Sequence, residues 1–109
     1  MSTRKRLRQD LVAAIRSRDK IEISMIRTLI AAIENAEAVA AEPSAEALIG
    51  LNHDQPRRNL TDEEITAIVA RERAEVADAV ERYRKLGLDA ELDELQDRLA
   101  IIDRYTELS

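Results

Sequence analysis

Apolar residues recur along this chain at intervals of three and four, the spacing that puts them on one side of a helix. Leu7, Leu11, Ala14 and Ile15 share one face of a first segment, and Ile26, Leu29, Ile30 and Ile33 share a face of a second. No Gly or Pro separates the two. The break between them rests on Asp19-Lys20-Ile21-Glu22, which reads as a capping box with Asp19 as N-cap and Glu22 three residues on. The backbone punctuators Pro43, Gly50, Pro56 and Gly87 fall in two places. Three of them lie in 42–60, the one long irregular stretch, within which "PSAEALI" is the part most suited to a helix. Thr61-Asp62-Glu63-Glu64 is a second capping box, with three acids at the positive end of the helix it starts. That helix carries Ile65, Ile68, Val69, Val76, Ala79, Val80, Tyr83 and Leu86, and closes on Arg84, Lys85 and Gly87. A fourth helix carries Leu88, Leu92, Leu95, Leu99 and Ile102. Ile101, Tyr105 and Leu108 lie off its main stripe, so the end of the chain is expected to be apolar on two sides. The pattern predicts an all-α domain: a bundle of about four helices, near 3–18, 20–41, 61–86 and 89–107, forming two helical hairpins joined by a loop over 42–60.

Composition supports a folded single domain. Leu, Ile and Val make up about a quarter of the 109 residues, more than disordered chains carry. Tyr83 and Tyr105 are the only aromatic residues, so the core must be aliphatic. The absence of Cys removes disulfides, thiolate metal sites and cysteine nucleophiles, and suits a cytoplasmic protein. The longest apolar stretch, "ISMIRTLIAAI", contains Arg27 and is too short to span a bilayer, so no membrane association is expected.

The net charge of −5 hides an asymmetry. Residues 1–28 hold eight Lys or Arg against three acids, whereas the remainder holds nine against nineteen. In "TRKRLR" the cations oppose the macrodipole at a helix N-terminus. On a helical wheel Lys5, Arg8, Val12 and Arg16 line one flank, where three cations can follow a phosphate backbone. No aromatic residue is interleaved to stack on bases, and the chain as a whole is acidic. A solvated or intramolecular role is therefore favoured over RNA contact, which is the alternative.

With one His, no Cys and two distant Gly, the inventory builds no standard active site, cofactor cradle or metal centre. His53, between Asn52 and Asp54 in the loop, reads as solvated, and Ser17 and Ser24 as surface or interface polar residues. The carboxylates are odder. Glu72 falls at the centre of the arc made by Ile65, Ile68, Val69, Val76 and Tyr83, and Glu37 one turn past Ile33. A buried carboxylate needs a cation or several donors, for which Arg27, Arg18 and Asn35 are the candidates, and a structural ion pair is the expectation.

The string Ile26-Arg27-Thr28-Leu29-Ile30-Ala31-Ala32-Ile33-Glu34-Asn35-Ala36-Glu37 resembles the "LRxLLAAIKNAE" stretch of the YqeY-like family, also called the GatB/YqeY domain family. "RLRQDLVAAIRSRDK" is similar to that family's opening helix, "LTDEEITAIVARE" to its third-helix start and "YRKLG" to its helix-ending turn. Together these cover most of residues 4–87. The resemblance implies an all-helical domain related to the tail of the amidotransferase subunit that converts misacylated Glu-tRNA or Asp-tRNA. It also implies the family's label of carbon–nitrogen ligase with glutamine as amido donor. Arg27, Asn35, Glu37, Glu72 and Tyr83 match its pattern positions. Two departures stand out. Ala74, Glu75, Val76 and Ala77 replace a basic K-x-R-R pattern after Glu72, which removes one RNA surface. Thr106, Glu107 and Leu108 follow Tyr105 where relatives continue through "YLP" into a second helical domain, so a short single-domain member is expected. The resulting expectation is a small accessory module with a protein partner, linked to glutamine-dependent tRNA amidotransfer and without its own active site or cofactor. Weak tRNA contact through Lys5, Arg8 and Arg16, and homo-oligomerisation through the C-terminal helix, accompany it.

Overall fold

A computed structural model of the protein describes residues 2–40 and 59–106. It contains four helices: α1 (Thr3–Ser17), α2 (Lys20–Ala40), α3 (Asp62–Leu86) and α4 (Asp89–Thr106), with no strand among the described residues. The expected helical segment "PSAEALI", His53 and Leu108 lie outside the described residues. The all-α bundle of two hairpins is present, α1 against α2 and α3 against α4, and α2 packs on both helices of the second hairpin.

Each hairpin turns through two residues in the same way. Gly87, at φ 71°, donates its N–H to Arg84 O and Leu88 donates to Tyr83 O, both at 3.2 Å. This is a Schellman motif, which needs a left-handed residue just past the helix. α1 ends identically, with Arg18 N–H on Ile15 O and Asp19 N–H on Ala14 O at 3.2 Å, but here the left-handed residue is Arg18 at φ 60°. No Gly marks this turn, because a side chain tolerates the conformation at a cost of about 1–2 kcal/mol. The pair gives a matched test. A Cβ at Gly87 would meet nothing within 4 Å, so Gly87→Ala carries only conformational strain and is expected to destabilise by about 1 kcal/mol. Arg18→Gly is expected to stabilise by about 0.5–1 kcal/mol. Urea denaturation of both variants checks the signs.

The N-caps follow the sequence with one exception. Thr61 and Glu64 form both bonds of a capping box, at 3.2 and 3.1 Å. At α2 only half the box forms: Asp19 Oδ1 accepts from Glu22 N–H at 3.1 Å, but the Glu22 carboxylate instead accepts from Arg104 at 2.5 Å. Asp19 N–H is already spent in the Schellman turn, so an inter-helix ion pair takes the freed carboxylate.

The core is Leu7 and Ala14 of α1, Met25, Ile26, Leu29 and Ile33 of α2, Ile65, Ile68 and Val69 of α3, and Ile101, Ile102 and Tyr105 of α4. Two expectations are corrected here. Ile15, at the edge of the α1 stripe, is 47% exposed. Ile101 and Tyr105 do not offer an outward apolar face: both are buried, because the last turns of α4 pack against helices on more than one side. Leu86 and Leu88, at the α3–α4 turn, are exposed.

Candidate functional site

The residues singled out by sequence separate into three places on the bundle. Glu37 is the buried carboxylate, 5% exposed, and its partner is none of Arg27, Arg18 or Asn35. Arg4 of α1 donates from both terminal nitrogens to both carboxylate oxygens, at 3.0 and 2.9 Å. This fork-to-fork pairing is the strong form of a guanidinium–carboxylate contact. It locks the start of α1 to the far end of α2. Closure of the hairpin brings the pair together. Leu7 and Ile33 line one small cavity across the hairpin, and Arg4 and Glu37 lie one turn further from the bend on each helix.

Glu72 and Asn35 meet at a second place, a groove of about 630 Å³ between α2 and α3. Ala32, Ala36, Ala67, Leu60 and Ile68 give it a small-residue, apolar floor, and Asn35, Glu64, Arg71 and Glu72 line its edges. Asn35 is exposed and, contrary to its expected role as a donor to a buried carboxylate, makes no side-chain hydrogen bond among the described residues. Glu72 is half-buried rather than buried, and neither Arg27 nor Arg18 reaches it. The reason is positional. Arg18 caps α1 beyond the N-terminus of α2, 17 residues and roughly 25 Å of helix from Asn35. Arg27 stands on the solvent face of α2, away from the flank that carries Ala32 and Ala36.

Burial raises the pKa of Glu72, Glu75 adds to the rise, and Arg71 opposes it. An acid whose folded pKa lies above its unfolded value stabilises the fold at low pH, and that contribution is lost as pH rises through the folded pKa. Glu72→Gln is accordingly expected to leave stability at neutral pH within about 0.5 kcal/mol, on the stabilising side, as for other solvent-reached sites. Denaturation midpoints of the two proteins at pH 7 check this, and a loss of several kcal/mol would restore the buried ion pair.

The third place is the outer face of α1. Lys5, Arg8 and Arg16 are exposed beside Val12, 49% exposed, and without an ion-pair partner among the described residues. Arg4 and Arg6 of the same basic segment are engaged within the fold, Arg4 with Glu37 and Arg6 with Asp10. The segment is thus divided between intramolecular and solvent-facing cations. Tyr83 is half-buried on α3 and enters none of the three places. Among the described residues no group of His, Asp and Glu is arranged to hold a metal ion, and no helix is long and apolar enough to cross a membrane.

These features define, over the described residues, an all-helical domain of two antiparallel hairpins with an open groove between α2 and α3. A family model described as "Yqey-like protein" matches residues 4–107, and the chain belongs to the YqeY-like family. No curated protein and no solved structure matches it.

Proposed function

We propose that this chain is an accessory interaction module that seats a helix of a protein partner in the α2–α3 groove. The carrying observation is the groove's construction. A floor of Ala32, Ala36 and Ala67 lets a helix backbone approach closely, Leu60 and Ile68 supply apolar contact, and Asn35, Arg71 and Glu72 offer polar contacts at the edge. Asn35 and Glu72 come from different helices, and the fold holds them on one opening. The relation to an amidotransferase tail that the resemblance to the YqeY-like family implies supports a partner in aminoacyl-tRNA metabolism.

A second reading, tRNA contact through α1, is supported by the exposure of Lys5, Arg8 and Arg16. Three or four phosphate contacts give a log–log salt slope of only about −3 to −4 and weak binding. Affinity capture from native lysate, with and without nuclease, separates the two readings. A protein partner that survives nuclease and is kept after charge reversal of Lys5, Arg8 and Arg16 supports the groove, whereas a partner set lost with the RNA, and lost again on that charge reversal, supports the second.

A further inference from the structure

The outer face of α2 carries a feature that neither reading uses. Lys20, Ile23, Ser24, Arg27, Thr28 and Ala31 line a shallow groove of about 590 Å³ along the helix. Ser24 sits at its middle. Lys20 lies about 6 Å before it and Arg27 about 4.5 Å after it along the axis, within reach of long side chains from either side. A third cation arrives from another helix: Arg98 of α4 donates from Nη2 to Ser24 Oγ at 3.1 Å. That bond uses Ser24 Oγ as acceptor and leaves its hydroxyl hydrogen available. Thr28 is not equivalent, because its hydroxyl already donates to Ser24 O at 2.9 Å. Lys20 and Arg27 are exposed and have no ion-pair partner among the described residues. No carboxylate lines the groove. Glu22, the nearest acid in sequence to Ser24 on this helix, is paired with Arg104.

We propose that this groove binds a phosphate group, centred on Ser24 Oγ and held by Lys20, Arg27 and Arg98. The chemistry follows from the donors. Two guanidinium groups and an ammonium supply charge-assisted bonds to a tetrahedral oxyanion, Ser24 adds a neutral donor, and nothing in the lining repels a negative charge. The bond to Ser24 holds Arg98 in place before the ligand arrives, which lowers the ordering cost of binding. A phosphate of this kind belongs either to a small phosphorylated ligand or to a polynucleotide backbone.

Backbone amide chemical shifts, followed during titration with inorganic phosphate and separately with a short single-stranded oligouridylate, test this. Saturable shifts confined to residues 20–31 and Arg98 are expected with at least one probe. Arg27→Gln and Arg98→Gln should each weaken that binding about tenfold, the loss of one charge-assisted bond. Charge reversal at Lys5, Arg8 and Arg16 should leave it unchanged, separating this site from the α1 surface. A response to phosphate alone assigns a small ligand, and a response at the same residues to oligouridylate assigns a polynucleotide. Arg27 is exposed, so Arg27→Gln preserves the fold and its result decides. No saturable response to either probe, or a response indifferent to Arg27→Gln, would overturn the proposal.

Discussion

Replacing Tyr105 with alanine is expected to cost the fold about 3–5 kcal/mol, the range for deleting a large buried aromatic side chain. Tyr105 is 1% exposed within the core, and its hydroxyl donates to Asp10 Oδ2 on α1 at 2.6 Å. The same oxygen accepts from Arg6 Nε at 3.2 Å, so one carboxylate ties the last turn of α4 to the first half of α1. Tyr105→Phe keeps the ring and removes only that bond, at about 1–2 kcal/mol. The two variants therefore divide packing from hydrogen bonding. Burial, then the hydrogen bond to Asp10 and its charge, push the tyrosine pKa above its ordinary value of 10.0, against the smaller opposing effects of Arg104 and Arg6. The folded protein thus keeps a proton that the unfolded chain releases from about pH 10 upward. Stability from this group is full below that pH and falls as pH rises through the folded pKa. Stability measured against pH should decline on the alkaline side in the natural protein, and Tyr105→Phe should flatten the decline. An alkaline limb unchanged in Tyr105→Phe would contradict this.

Arg4→Ala is expected to destabilise by about 2–4 kcal/mol, although residue 4 lies in the first turn of a terminal helix, where substitutions are usually mild. The substitution removes two charge-assisted bonds from a carboxylate whose side chain is only 6% exposed. Glu37→Ala should cost less, because the Arg4 guanidinium is 27% exposed and can turn to water. Glu37→Gln keeps the shape and one acceptor, and falls between the natural protein and Glu37→Ala. Urea denaturation of the three variants gives the order, and a loss under about 0.5 kcal/mol for Arg4→Ala would show that the pair does not fasten α1.

The helices were legible because apolar spacing and capping are local. Thr61 and Glu64 announced α3 within four residues, and Arg84, Lys85 and Gly87 announced its end. What the wheel missed depends on how helices sit against one another. It placed Ile101 and Tyr105 off the α4 stripe because it assumed one buried face, whereas the last turns of α4 are covered on more than one. It centred Glu72 on the α3 arc, but the groove beside α2 opens that position to water. It also read Arg4 as one of a basic run, since the partner of a cation 33 residues away is fixed only once the hairpin closes. Asn35 and Glu72 were each visible as polar interruptions. Their meeting on one groove follows from the packing of α2 on α3, which no periodicity specifies.

Affinity capture with the natural chain and with Ala67→Arg, run side by side after nuclease treatment, tests the role of the groove most directly. Ala67 is exposed on the groove floor, so the arginine obstructs the opening without entering the core. The account predicts that a protein partner retained by the natural chain is lost to Ala67→Arg and kept by the variant reversed at Lys5, Arg8 and Arg16. A partner held equally by Ala67→Arg and released by the α1 charge reversal would contradict it.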